Sequence, residues 1–135
     1  MTNHTKKFAS IFDGLKLAYG TFKIEKKQLN GKSTGRAAII RETRTTELWE
    51  GHLSGKGRGV GIIPINEDNK CVWGCIDVDQ YPLDHKMLIK KIRKIKLPLV
   101  ICRSKSGGAH CFLFATDWID AKDMQETLQQ VSAAL

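Results

Sequence analysis

The sequence predicts an α+β protein in which an N-terminal α/β segment packs on a smaller unit of strands and helices. Two observations predict this class. The chain has 135 residues, of which 41% are hydrophobic, and this is typical of one compact domain that buries a core. From residue 70 onward, short apolar runs alternate with segments whose apolar residues recur at helical spacing. We therefore place the division between residues 1–69 and residues 70–135.

The N-terminal segment alternates between helical and extended patterns. The apolar spacing in KKFASIFDGLKLAY predicts a helix over residues 6–19, although a glycine interrupts it. Strands are predicted over residues 20–27 and around Ala37–Ile40. TTELWEGHL predicts a second helix with a threonine as its N-cap. The glycine-rich run SGKGRGVGIIPI is expected to end in a strand that contains the proline.

The second segment follows the order β-α-β-β-α. The strands are CVWGCIDVD, LPLVICR and AHCFLFA; one helix, DHKMLIKKIRKIK, has Asp84 as its N-cap, and the other follows Asp120. A ferredoxin-like unit of the RNA-recognition-motif type has the order β-α-β-β-α-β. We therefore expect a unit of this type that is truncated before its last strand, in the front part of a longer protein.

Charge and cysteine content narrow the possible partners and compartments. The net charge of +8 and a pI near 9.5 favour polyanionic partners, because a positive field attracts phosphates. The four cysteines form no CxxC pair and are expected to be buried thiols in a reducing cytoplasm. A zinc site made by cysteines and histidines that converge in space stays open. Because no run of about eighteen apolar residues occurs, no membrane span is predicted.

Two carboxylates stand two positions apart at the end of the first strand of the second segment. Side chains alternate along a strand, so Asp77 and Asp79 are expected on one face, with Val78 turned into the core. Adjacent negative charges repel each other, and a divalent cation between them relieves the repulsion. The pair therefore predicts a Mg²⁺ or Mn²⁺ site. The alternative is that these aspartates only cap a turn.

A second polar cluster, CRSKSGGAHCFLF, joins the next two strands. Arg103 and Lys105 supply positive charge for phosphate oxygens, and the glycines let backbone amides approach a ligand. The first and third strands of a ferredoxin-like sheet are neighbours, so His110 is expected on the same face as the two aspartates. The alternatives are an ordinary hairpin with a polar tip and a core histidine bonded to a backbone carbonyl.

A second glycine-rich loop, HLSGKGRGVGIIP, carries Lys56 and Arg58. It does not match the GxxxxGK[ST] pattern, so it predicts no Walker-type nucleotide site. We interpret it as a contact for a nucleic-acid template or a triphosphate, with a flexible surface loop as the alternative. The tryptophans are either core residues or base-stacking platforms: Trp49, Trp73 and Trp118.

Together these motifs resemble the catalytic core of the archaeo-eukaryotic primase superfamily, in particular the primase-polymerases of phages and mobile elements. The resemblance depends on CIDVD, on SKSGGAH leading into a strand, and on HLSGKGRGVGIIPINEDNKCVWG before them. It covers residues 48–115. It implies a DNA primase/polymerase that acts in DNA replication by template-directed nucleotidyl transfer with two Mg²⁺ or Mn²⁺ ions. The implied partners are single-stranded DNA, nucleoside triphosphates and further domains of the same polypeptide, such as a helicase.

The resemblance also implies roles for individual residues. Asp77 and Asp79 correspond to the metal ligands of the first motif, and His110 corresponds to the second-motif histidine that contacts the phosphates of the incoming nucleotide. Arg103 and Lys105 would hold phosphates beside that histidine.

The sequence departs from the superfamily pattern in two places. Gly108 stands where the usual Ser-x-His motif has its serine, so Ser106 is the nearest hydroxyl before His110. No third-motif acid is found, because the chain has no acidic residue between Asp84 and Asp117. The isolated chain could therefore be inactive although the full protein works.

Two other functions fit the same residues. One is a non-catalytic module that binds single-stranded nucleic acid on its sheet, but the first strand carries aspartates where such modules have aromatic side chains. The other is a metal-dependent nuclease, since a two-metal site can also cleave phosphodiesters.

Overall fold

A computed structural model of the protein describes residues 2–27, 29 and 33–135. The predicted α+β class is confirmed, and the chain divides into two compact units, Met1–Cys71 and Val72–Leu135. The elements in chain order are α1 (Asn3–Ile11), β1 (Tyr19–Lys27), β2 (Ser33–Ile40), α2 (Thr46–Ser54), β3 (Gly59–Gly61), β4 (Lys70–Val78), α3 (His85–Lys94), β5 (Leu99–Arg103), β6 (Ala109–Asp120) and α4 (Ala121–Ala134).

The first unit combines a helix pair with an antiparallel sheet of order β2-β1-β3. In the register of this sheet Tyr19 lies opposite Ile40, and the Tyr19 side chain is buried. Trp49 of α2 is also buried and meets Phe8 of α1 edge to face, with the ring centroids 5.6 Å apart. Of the two uses predicted for Trp49, packing in the core is the one that the structure shows.

Two predictions for the first unit need correction. The helix expected over residues 6–19 ends at Ile11, because the Leu15 N–H donates to the Ile63 carbonyl (2.8 Å) instead of continuing the helix. At Gly14 a side chain would not fit, since an added Cβ would lie 2.2 Å from the same carbonyl oxygen. The strand expected to contain Pro64 is shorter than predicted: β3 ends at Gly61, before the proline, and pairs with β1.

A partly buried ion pair joins two loops of the first unit. The Arg44 guanidinium donates to Asp13 Oδ1 at 2.9 Å and to the Gly14 carbonyl at 3.3 Å. The Arg44 side chain is only 8% exposed, and that of Asp13 is 33% exposed. Because water reaches this pair poorly, removing either partner would leave a charge that solvent compensates only in part.

The sheet of the second unit has the order β4-β6-β5, so the first and third strands of the unit are neighbours, as predicted. β5 and β6 pair antiparallel from Leu99 opposite Leu113 to Arg103 opposite Ala109. Helix α4 lies directly on β4, since a Cβ added to Gly74 would be 2.6 Å from the side chain of Leu128. The missing side chain at Gly74 therefore allows the helix to pack closely on this face of the strand.

Alternation along β6 separates the two faces of this sheet. Three side chains that share the helix-covered face are buried: Ala109, Cys111 and Leu113. His110 and Phe112 point to the opposite face, where the Phe112 ring meets the Trp73 ring edge to face at 5.9 Å. The alternation of side chains that predicted this strand thus also determines which of them lie on the face of the candidate site.

The other predictions for the second unit have mixed outcomes. Asp84 caps α3, with its carboxylate accepting from the Met87 N–H at 3.0 Å, as predicted. Asp120 stands at the N-cap of α4 but makes no side-chain capping bond. Cys71 and Cys111 are buried, whereas the prediction of a buried Cys102 is wrong, because that residue lies exposed on the edge strand β5. All four cysteines are free thiols.

No helix in the described part of the chain has the length and apolar character needed to cross a membrane.

The Arg44 to Asp13 pair gives a test of stability. Arg44→Met should lower the free energy of unfolding by about 2–3 kcal/mol at neutral pH, because it removes the guanidinium that donates to a partly buried carboxylate. The matched control is Arg36→Met, whose pair with Glu25 is well exposed and should contribute less than about 1 kcal/mol. Urea unfolding followed by circular dichroism measures both. Equal losses for the two variants would contradict the argument from burial.

Candidate active site

The two aspartates lie where β4 ends. Asp77 is the penultimate residue of the strand, with its side chain 58% exposed, and Asp79 follows the strand and is also exposed. Gly74 faces α4, so Asp77 shares the opposite face with Cys75 and Trp73 by the alternation of the strand. Both carboxylates remain accessible to water.

His110 lies beside Asp77 because β6 is the neighbour of β4. Its Nε2 atom is 3.5 Å from Asp77 Oδ1, and its side chain is 44% exposed. Its ring also meets Phe112 edge to face at 6.0 Å. The structure thus brings together two of the side chains that sequence reasoning placed on one face, and it leaves the imidazole open to a ligand.

The loop between β5 and β6 is a tight turn pressed against the end of β4. The Ser104 N–H donates to the Gly108 carbonyl (3.0 Å), and the Gly107 N–H donates to the Ser104 carbonyl (3.1 Å). A Cβ added to Gly108 would lie only 2.3 Å from the carbonyl oxygen of Val78. No side chain fits at this position, which gives a physical reason for the glycine that replaces the serine of the usual Ser-x-His pattern.

Tyr81 connects the second aspartate to this loop. Its hydroxyl donates to Asp79 Oδ1 at 3.0 Å, and this bond to a carboxylate is the main reason that the pKa of Tyr81 is raised. A hydrogen bond with the half-buried Ser106 acts in the opposite direction on the same pKa. The Tyr81 phenol therefore lies between Asp79, a predicted metal ligand, and the hydroxyl of Ser106.

The basic residues that are predicted to contact phosphates lie at two different loops. Arg103 ends β5 and Lys105 lies in the turn that follows, and both are exposed. Lys56 and Arg58 belong to the first unit, where they are exposed in the loop between α2 and β3. That loop is held at its end by the Val60 N–H, which donates to Nδ1 of His52 at 3.1 Å.

Sequence reasoning missed three residues of this site. Tyr81 contacts the site through its hydrogen bond to Asp79. His85 contacts it through the carbonyl of Gly108, 23 positions further along the chain, and no local sequence pattern indicates this bond. Ser104 carries a buried hydroxyl without a hydrogen-bond partner among the described residues. The only signal for Ser104 was its place in the polar cluster before His110.

Cys75 lies two residues before Asp77 on the same face of β4. Burial, together with the nearby negative charge of Asp77, raises the pKa of its thiol to about 11. The group is therefore a neutral thiol at physiological pH, which makes it a poor nucleophile.

The donor set suits a hard divalent cation only when a ligand adds further oxygens. Within the described residues, no group of three or more His, Cys, Asp or Glu side chains could hold a metal ion by itself, and this applies equally to the zinc alternative. Mg²⁺ is commonly bound by one or two carboxylates together with substrate phosphates. Asp77 and Asp79 are two carboxylates of the kind that such a site uses.

The acids that follow His110 lie too far along β6 to complete the set. Asp117 is seven residues beyond His110 in the same strand, which corresponds to roughly 23 Å at the usual rise of a strand. Asp117 therefore does not supply a third carboxylate beside His110.

One comparison with known proteins decides the family. A family model described as the Archaeo-Eukaryotic Primase domain of the TOTE conflict system matches residues 15–134. The chain belongs to this family. The primase resemblance drawn from the motifs is thus confirmed, and the match extends through both compact units. A search of curated proteins found no match.

The close approach at Gly108 gives a sharp prediction for this primase domain. Gly108→Ala should lower the free energy of unfolding by about 2 kcal/mol or more, because the new Cβ meets a backbone oxygen that cannot turn away. Gly107→Ala is the matched control: its φ of +94° is strained for alanine, but nothing lies within 4 Å, so about 1 kcal/mol is expected. Urea unfolding compares the two. A smaller loss for Gly108→Ala than for the control would contradict the packing described.

The raised pKa of Cys75 predicts a pH dependence of its reactivity. At pH 8 a thiol with a pKa of about 11 is ionised in roughly one molecule per thousand, so alkylation of Cys75 should be slow and should rise up to about pH 11. Asp77→Asn should shift this rise to lower pH, because it removes a negative charge. Mass spectrometry after iodoacetamide treatment measures the rate, with the exposed Cys102 as the internal reference. An unchanged profile in the variant would show that Asp77 does not act on Cys75.

Proposed function

We propose that this primase-family domain carries out template-directed nucleotidyl transfer, extending nucleic acid on a single-stranded DNA template. The observation that supports this best is the approach of His110 Nε2 to Asp77 Oδ1, at 3.5 Å, beside the turn pressed on the end of β4. In this proposal a carboxylate pair, an accessible imidazole and a cationic loop would bind one ligand. That combination suits a triphosphate that carries divalent cations.

Asp77 and Asp79 would hold Mg²⁺ or Mn²⁺ through their exposed carboxylates. When bound, two such ions activate the attacking hydroxyl and neutralise the triphosphate. The half-exposed imidazole of His110 would donate a hydrogen bond to a phosphate oxygen, while the adjacent Asp77 carboxylate keeps the ring oriented. The protein would thus act mainly by positioning charges.

The basic side chains would hold the polyanions. Arg103 and Lys105 lie in the β5–β6 connection and are suited to the triphosphate by charge and exposure. Lys56 and Arg58, in the first unit, would contact template phosphates. Such contacts release counterions, so binding of single-stranded DNA should weaken steeply as the salt concentration rises.

The proposal is tested by incubating labelled primed single-stranded DNA with nucleotides and Mn²⁺. Asp77→Asn and Asp79→Asn should each reduce primer extension by at least about a hundredfold, because each removes a carboxylate that would hold the cations that stabilise charge in the transition state. Asp117→Asn is the matched control, since it removes an exposed carboxylate from the same unit at the far end of β6, and it should leave extension unchanged.

The fate of the labelled strand separates the possible functions. Extension that depends on both aspartates supports the proposal, and extension that is equally fast in Asp77→Asn contradicts the assigned role. Shortened DNA would indicate a nuclease. DNA that is bound but unchanged would indicate a nucleic-acid-binding module.

A further inference from the structure

His85 contacts the candidate site from outside the predicted motifs. It is the first residue of α3 and is half-buried, and its Nε2 atom lies 2.9 Å from the carbonyl oxygen of Gly108. A carbonyl oxygen can only accept a hydrogen bond, so Nε2 carries the proton in this contact. The bond connects two segments that are 23 positions apart in the chain.

Gly108 is held from three directions. Its carbonyl oxygen accepts from the Ser104 N–H within the turn, at 3.0 Å, and from His85 in α3, at 2.9 Å. Its Cα lies against the carbonyl of Val78, with no room for a side chain. Of these contacts, only the one from His85 is made by a side chain that can be exchanged without touching the loop or β4.

The first turn of α3, from which the His85 side chain extends, is rigid. Asp84 caps α3 through the Met87 N–H, and the Leu88 N–H donates to the Asp84 carbonyl at 3.0 Å, so the first turn of the helix is fixed. Further along, Ile92 is 2% exposed and anchors the helix in the core. A side chain that starts from such a helix end holds its partner in a defined place.

We propose that His85 is a positioning residue: through the carbonyl of Gly108 it fixes the Ser104–Gly108 turn, and with it the placement of His110 relative to Asp77. Only two peptide steps separate Gly108 from His110, so a displaced turn moves the imidazole as well. A shift of about 1 Å in a catalytic group can reduce a rate by about a hundredfold. The catalytic meaning of this inference rests on the proposed function, whereas the structural contact does not.

The test compares side chains that keep or remove the donor. His85→Gln places an amide N–H at nearly the same reach as Nε2, whereas His85→Met has similar length but no donor. His85→Asn keeps a donor but is too short, and it replaces the Met variant if that protein does not fold. The control is Lys86→Met, at the exposed neighbouring position.

Two measurements on the whole chain are made for each variant. The first is amide hydrogen exchange at the bonded N–H groups of Ser104 and Gly107, and the second is the affinity for ATP in the presence of Mn²⁺. In His85→Met both amides should exchange at least about tenfold faster and ATP should bind about tenfold more weakly, because the turn loses one of its anchors. His85→Gln should restore both to within about threefold, and Lys86→Met should change neither.

Identical behaviour of the Met and Gln variants would overturn the proposal, and so would unchanged exchange at Ser104 and Gly107 in His85→Met. If the unaltered chain binds no ATP, the proposed function is contradicted, while the exchange comparison still decides whether His85 holds the turn.

Discussion

The candidate site depends on one steric constraint, the contact of the Gly108 backbone with the carbonyl of Val78. A Cβ at position 108 would lie 2.3 Å from that oxygen, so the turn can rest on the end of β4 only when glycine stands there. This contact brings the β5–β6 connection to the strand end that carries both aspartates. The start of β6 is thereby aligned so that His110 reaches Asp77, and the departure from Ser-x-His is a requirement of the packing.

Much of this arrangement could be predicted from the sequence, because local periodicity determines it. The alternation in CVWGCIDVD and AHCFLFA predicted strands whose faces are now seen, and Asp84 was a recognisable cap. The strand order of a ferredoxin-like unit then placed His110 next to Asp77 before any distance was known. The long-range contact could be predicted in this case because the strand order makes β4 and β6 neighbours, and the motifs on these two strands lie at the same end of the sheet.

The features that sequence reasoning missed depend on contacts between distant residues. The first helix ends at Ile11 because the backbone at Leu15 bonds to Ile63, and apolar spacing carries no information about that partner. Likewise, nothing near His85 indicates that it reaches Gly108. Cys102 lies in an apolar run but is exposed, because β5 is an edge strand.

In the proposed function, the end of β4 and the start of β6 form one site for a cation and a triphosphate. The most direct test is paramagnetic broadening of the His110 ring resonances by Mn²⁺ in the presence of ATP, with the exposed His4 as the reference. We expect strong broadening of the His110 resonances in the unaltered chain and its loss in the Asp77→Asn, Asp79→Asn double variant. Broadening that is equal for the two histidines, or that persists in the double variant, would contradict it.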